Sequence, residues 1–183
     1  ICYLNIRGNK LTSLQLTSAD LTQIYCSNNN LESLTMASGN LTSVYCDNNK
    51  LPYVETAGAL DLNLSPQTIS MNRIKNGNSH TTDLRTIMNT SELLERTEVV
   101  LGDDVASVVE GIVIYSGAAE SMQYHFITSK DSNATMLVDV ILTEVDETPE
   151  GGGNEGEGGD GTGGGEGEGG DGTGGDEGEG GDE

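Results

Sequence analysis

Tryptophan is absent from this chain of 183 residues, phenylalanine occurs once, cysteine and proline three times each, and histidine twice. Bases are scarce as well: 8 Lys and Arg face 30 Asp and Glu, a net charge of −22 at pH 7. Each shortage excludes something. Without cationic patches the chain has no non-specific affinity for phosphate backbones or anionic membrane surfaces, so no nucleic acid is expected as a partner. No apolar run reaches the length of a membrane span, so no membrane insertion is expected either. An odd cysteine count, no C-x-x-C and only two histidines argue against a zinc site. The missing Cys…Trp…Cys framework argues against a true immunoglobulin domain. No G-x-S-x-G, H-E-x-x-H or P-loop spacing is present, so no catalytic residue, metal ligand or cofactor is expected and the chain reads as non-enzymatic.

Glycine is plentiful but confined. Of 26 glycines, 19 lie in residues 151–183, together with 11 acids and no base. The charge therefore splits into −11 on residues 1–150 and −11 on the remainder. An eleven-residue repeat, beginning at Glu155 and again at Glu166, carries no apolar side chain, so it cannot offset the entropy of ordering. Residues 149–183 are expected to be a disordered acidic linker, extended by mutual repulsion of its carboxylates. A calcium-loaded β-roll would need a large apolar residue in each nonapeptide, and none is present.

Residues 1–60 align without gaps in units of twenty. Apolar residues recur at slots 1, 4, 6 and 11: Ile1, Leu4, Ile6 and Leu11, then Leu21, Ile24, Cys26 and Leu31, then Leu41, Val44, Cys46 and Leu51. Slot 9 is Asn9, Asn29 and Asn49. A half-period repeats the spacing ten residues on, at Leu14/Leu16, Leu34/Met36 and Val54/Thr56. Slots 4 and 6 point the same way on a strand. Slot 9 must turn a corner where a carboxamide can serve amides that would otherwise be buried without partners. Ile1 starts inside the pattern, so a fragment with further coils before it is expected. The alternation at Leu60, Leu62 and Leu64 reads as a closing strand, with Pro66 preventing another regular coil.

This pattern, L-x-x-L-x-L-x-x-N-x-L, resembles the leucine-rich repeat, in the short twenty-residue form of bacterial surface proteins. The resemblance implies a solenoid whose concave face recognises a protein. Side chains at slots 3, 5 and 7 would form that face: Tyr3, Asn5 and Arg7; Gln23, Tyr25 and Ser27; Ser43, Tyr45 and Asp47. With parallel neighbours about 4.8 Å apart, Tyr25 and Tyr45 form an aromatic step with Tyr3 beside it. The same tyrosines would also serve simply to stabilise the sheet by cross-strand pairing. Cys26 and Cys46 share a buried slot in consecutive coils and read as reduced core thiols, while Cys2 points outward.

From residue 67 to 145 the period changes to two. Strands are expected at 68–74, 97–101, 105–109, 111–116, 121–128 and 135–143, the last two forming a hairpin through the turn residues 130–133. Met122, Tyr124 and Phe126 should share one face, as should Met136, Val138, Val140 and Leu142. Helical turns are expected within 83–88 and 91–95. His80 falls in a polar turn and His125 on the exposed side of a strand. Together these predict a mainly β fold in three parts: leucine-rich repeats over 1–64, a small immunoglobulin-like or related β-sandwich over 65–148, and the disordered linker over 149–183. The second part resembles the β domain that commonly follows such repeats. The implied function is a non-enzymatic protein-binding or adhesion module, extracellular or at the cell surface. The alternative is an architectural stalk, or an accessory region of a larger surface protein or hydrolase.

Overall fold

The computed structural model describes residues 2–37, 39–56, 59, 61–102, 104–129 and 133–146. Expectations for Ile1, Leu60, turn residues 130–132 and the acidic stretch from 149 onward lie outside them. About half of the described residues are strand and only two short helical turns occur, so the class is mainly β. Ile1–Thr148 clusters as one compact unit.

Six strands come from the repeating region: β1 (Cys2–Asn5), β2 (Ser13–Leu16), β3 (Leu21–Tyr25), β4 (Ser33–Met36), β5 (Ser43–Tyr45) and β6 (Asp61–Asn63). β1, β3, β5 and β6 form a parallel sheet in that order. Leu4 lies opposite Ile24, Ile24 opposite Val44, and Val44 opposite Leu62. The half-period makes a second parallel pair, β2 with β4, in which Leu14 meets Leu34 and Leu16 meets Met36. Burial follows the stacking. Ile24, Cys26, Leu31, Val44, Cys46 and Leu51 are fully buried, whereas Leu4 and Ile6 of the first coil are half-buried and Leu11 is exposed. A coil buries its apolar edge only against a neighbour. Each such side chain contributes roughly 1.5–3 kcal/mol when covered.

The corners are held by a file of carboxamides. Asn29 Nδ2 donates to the carbonyls of Cys26 (2.9 Å) and, one coil back, Ile6 (3.0 Å), while its Oδ1 accepts from Leu11 N–H (3.2 Å). Asn49 repeats this with Cys46 (2.8 Å), Cys26 (3.1 Å) and Leu31 N–H (3.0 Å). Asn9 donates to Ile6 O and Arg7 O within its own coil. The file has a fourth member that the twenty-residue phase conceals. β6 pairs with β5 at an offset of eighteen, which places Gln67 at the slot-9 position. Gln67 Nε2 donates to Cys46 O (2.8 Å) and Leu64 O (2.5 Å), and its Oε1 accepts from Leu51 N–H (3.1 Å). The residue before each corner takes a left-handed conformation, with φ of +67° at Gly8, +57° at Asn28 and +54° at Asn48. Glycine and asparagine are the residues that tolerate it. Pro66 stands there in the fourth unit, and its ring fixes φ negative, so no further corner of this kind forms.

Seven further strands follow: β7 (Gln67–Asn76), β8 (Ser79–Asp83), β9 (Thr97–Val100), β10 (Val105–Val109), β11 (Ile112–Tyr115), β12 (Ser121–Ile127) and β13 (Thr135–Asp146). The expected two-layer sandwich is not what they make. All seven lie in one mixed sheet, ordered β10-β11-β8-β7-β13-β12-β9. The reason is the length of its two central strands. β7 and β13 run parallel from the Gln67–Val138 pair to the Lys75–Asp146 pair, which leaves no break at which a second sheet could start. Residues of both edge strands line one groove, so the sheet curls toward closure.

The expected β12–β13 hairpin faces are present: Met122, Tyr124, Phe126, Met136, Val138, Val140 and Leu142 are all buried. The helical turns also form, a 3-10 turn at Leu84–Thr86 capped by Asp83 and α1 (Ser91–Glu95), whose N-cap Thr90 accepts from Leu93 N–H. His80 corrects the polar-turn expectation. It lies in β8, between β7 and β11, and is only 7% exposed. The composition Ser-His-Thr-Thr-Asp lacks the apolar alternation by which strands are read from sequence, so only its central place in the sheet makes it one. The coil stack and the sheet share a core. Tyr124 Oη donates to Pro52 O (2.6 Å), Tyr53 and Phe126 rings lie 5.6 Å apart, and Thr56 N–H donates to Thr128 O (3.1 Å).

Candidate functional face of the coil stack

Strand alternation sends slot 4 inward and slots 3 and 5 outward, and slot 7 follows on the same side; of the nine candidate residues Ser27 and Ser43 are buried and the other seven are at least partly open. In-register pairing of Tyr25 with Tyr45 brings their rings to 5.1 Å at 20°, a stacked arrangement. Tyr3 meets Tyr25 edge-on at 6.5 Å and is 64% exposed. Arg7 lies over this row, its Cζ 4.6 Å from the Tyr25 centroid and 5.6 Å from that of Tyr45. These are cation–π distances, worth about 0.5–1 kcal/mol when exposed. Arg7 N–H donates to Asn5 Oδ1 (3.3 Å), and Tyr25 Oη donates to Gln23 Oε1 (3.2 Å). A depression of about 310 Å³ lined by Tyr3, Asn5, Arg7, Gln23 and Tyr25 marks this end.

The other end is acidic. Asp47 Oδ1 accepts from Ser27 Oγ (2.5 Å) and Asn63 Nδ2 (3.0 Å), and Oδ2 accepts from Asn48 Nδ2 (2.8 Å). Tyr45 Oη donates to Asp61 Oδ2, and this hydrogen bond holds the phenol above its ordinary pKa, aided by partial desolvation and the Asp61 charge. Asp61 and Asn63 fall outside the twenty-residue phase. The signal for them is the Asp-Leu-Asn alternation, which sets them beside Ser43 and Tyr45 once β6 is shifted by two residues. Ser27 and Ser43 are buried, so the open face consists of Tyr3, Asn5 and Arg7 at one end and the outer parts of Gln23, Tyr25, Tyr45 and Asp47 beyond them. Among the described residues Arg7 has no carboxylate within ion-pair distance. The face thus carries an unneutralised cation at the first coil and carboxylates at the last.

Cys26 and Cys46 are free and buried, and Cys2 is free and exposed. The Cys46 thiol is pushed up by its contact with Cys26 and by burial, which keeps it protonated. Among the described residues no group of three or more His, Cys, Asp or Glu is placed to hold a metal. No described helix is long and apolar enough to cross a membrane.

Two other features lie apart from this face. Arg73 Nη2 bonds Glu144 Oε2 at 2.7 Å, and His80 Nε2 lies 3.1 Å from the same oxygen without the alignment of a hydrogen bond. The Arg73 bond holds the Glu144 carboxyl below the usual range. This cluster ties β7, β8 and β13 together. A larger groove, about 780 Å³, lies where the coil corners meet β7, between Lys50 and Ile87 and Ile141. The carboxamides of Asn29 and Asn49 that reach it already serve the corner backbone. No family model, no curated protein and no solved structure matches this chain.

Proposed function

We propose that this chain is a non-enzymatic protein-binding module, built on a short leucine-rich-repeat solenoid, that recognises its partner on the outward face of the coils. The observation that carries this reading is the row Tyr3–Tyr25–Tyr45 under the Arg7 guanidinium. Tyrosine and arginine give large contact area at low entropy cost and dominate the energetics of protein interfaces. An extracellular or surface location, in a bacterial protein, comes from the repeat resemblance alone. The immunoglobulin-like element of that resemblance is replaced by the curled sheet described above.

The rival reading, an architectural stalk or accessory region, draws on one observation: Tyr45–Asp61, Ser27–Asp47 and Tyr25–Gln23 satisfy one another within the face. Selection of displayed peptides against the full chain, followed by the Tyr25→Ala/Tyr45→Ala double variant, separates the two. Binding modules lose at least tenfold in affinity for their selected peptides when such anchors are truncated. Peptides that bind the double variant equally well, with its fold intact by circular dichroism, would favour the stalk.

A further inference from the structure

β9 and β10 follow one another in the chain yet stand at opposite ends of the seven-stranded order, each with a neighbour on one side only among the described residues. They flank a common groove of about 370 Å³, with Thr97, Glu98 and Val99 on one wall, Val108 on the other, and Leu84 and Leu94 between. The phase of the β9–β12 ladder is set by Ile127 N–H donating to Arg96 O. In an antiparallel ladder bonded and non-bonded pairs alternate, so Glu98 and Val100 bond β12 while Thr97 and Val99 turn their main-chain groups to the open side. Exposed apolar side chains line the same seam: Leu101 is 71% exposed and Val108 40%. Free strand edges of this kind are normally blunted by lysine, proline or a covering element. Here no proline or lysine lies in either strand.

We propose that the β9–β10 seam binds an extended peptide by strand addition, and that the peptide carries apolar residues at alternate positions with Lys or Arg between them. Strand addition supplies main-chain hydrogen bonds for affinity and alternate side-chain positions for specificity. The alternate apolar residues suit the lining supplied by Leu94, Val99 and Val108. The basic residues suit the charge at the seam, where Glu98, Asp104 and Glu110 are exposed. The cations beside it are already engaged, Arg85 twice by Asp83, at 2.8 and 2.7 Å, and Arg96 by Glu55 at 2.9 Å. A second copy of this chain would bring the same acids against these and is disfavoured.

The test uses the full chain and an eight-residue peptide of alternating valine and lysine, read by fluorescence anisotropy. Saturable binding is expected, weakened at least tenfold when alternate peptide amides are N-methylated. Methylation removes the strand hydrogen bonds and keeps every charge. Attraction to the acidic stretch 151–183 by charge alone would survive it, and that result, or the absence of binding, overturns the proposal. Glu98→Lys/Glu110→Lys, at two exposed positions, should shift preference toward the alternating valine–glutamate peptide. An unchanged preference would likewise overturn it.

Discussion

Tyr45 shows how one side chain links the candidate face to a measurable titration. Its hydroxyl donates to Asp61, and a deprotonated phenol could not do so, so the folded state holds the proton and the pKa is raised above the ordinary value near 10. A raised folded value means that the contribution to stability is present below pH 10 and is lost as the pH climbs through the folded pKa. Ultraviolet titration should therefore show one tyrosine ionising later than a free phenol in the exposed set. Asp61→Asn should bring that ionisation back toward the ordinary value, and an unaltered titration curve would refute the assignment. The position of Tyr45 was readable from slot 5 of the repeat. Its partner was not, because Asp61 enters the face only through the two-residue shortening of the last unit.

At the scale of the coil, the corner decides. Slots 4, 6 and 9 could be read directly, since side-chain direction alternates along a strand and a buried corner needs a carboxamide. The left-handed slot 8 was equally present in the sequence, as Gly8, Asn28 and Asn48, but its meaning needs the dihedral angles. An alanine there costs about 1–2 kcal/mol in a left-handed conformation, whereas glycine adopts it freely. Asn48→Ala should lower the urea midpoint accordingly with an unchanged m-value, and Asn48→Gly should stay close to the parent protein. Equal midpoints for the two variants would show that the corner carries no conformational demand. β8 marks the opposite case. Its polar sequence contains no strand signal, and pairing to β7 on one side and β11 on the other makes it a strand.

For the molecule as a whole, Gln67 joins what the sequence divides. It ends the carboxamide file of the coils and begins β7, the strand that runs beside β13 through the middle of the sheet. Its side chain is fully buried with all three of its bonds made to the coil stack. Gln67→Leu would leave Leu51 N–H and Leu64 O buried without this partner, while Cys46 O keeps its bond from Asn49. At about 1–3 kcal/mol per unsatisfied group, the loss should be roughly 2 kcal/mol or more. Because Ile1–Thr148 is one compact unit, that loss should appear as a shift of a single unfolding transition, coincident by circular dichroism and tyrosine fluorescence. Two separate transitions, with only one displaced, would mean that coils and sheet unfold independently.

The in-phase stacking of the first three coils, the buried face of the β12–β13 hairpin and the residues of the tyrosine row are written in the order of the amino acids. Each follows from a local period, which the chain carries wherever it folds. That seven strands make one curled sheet, that His80 is interior, that Gln67 completes the corner file and that β9 and β10 are open edges among the described residues emerges only when the chain is folded. Those outcomes depend on which distant strands meet, and no local pattern of side chains encodes the choice of partner.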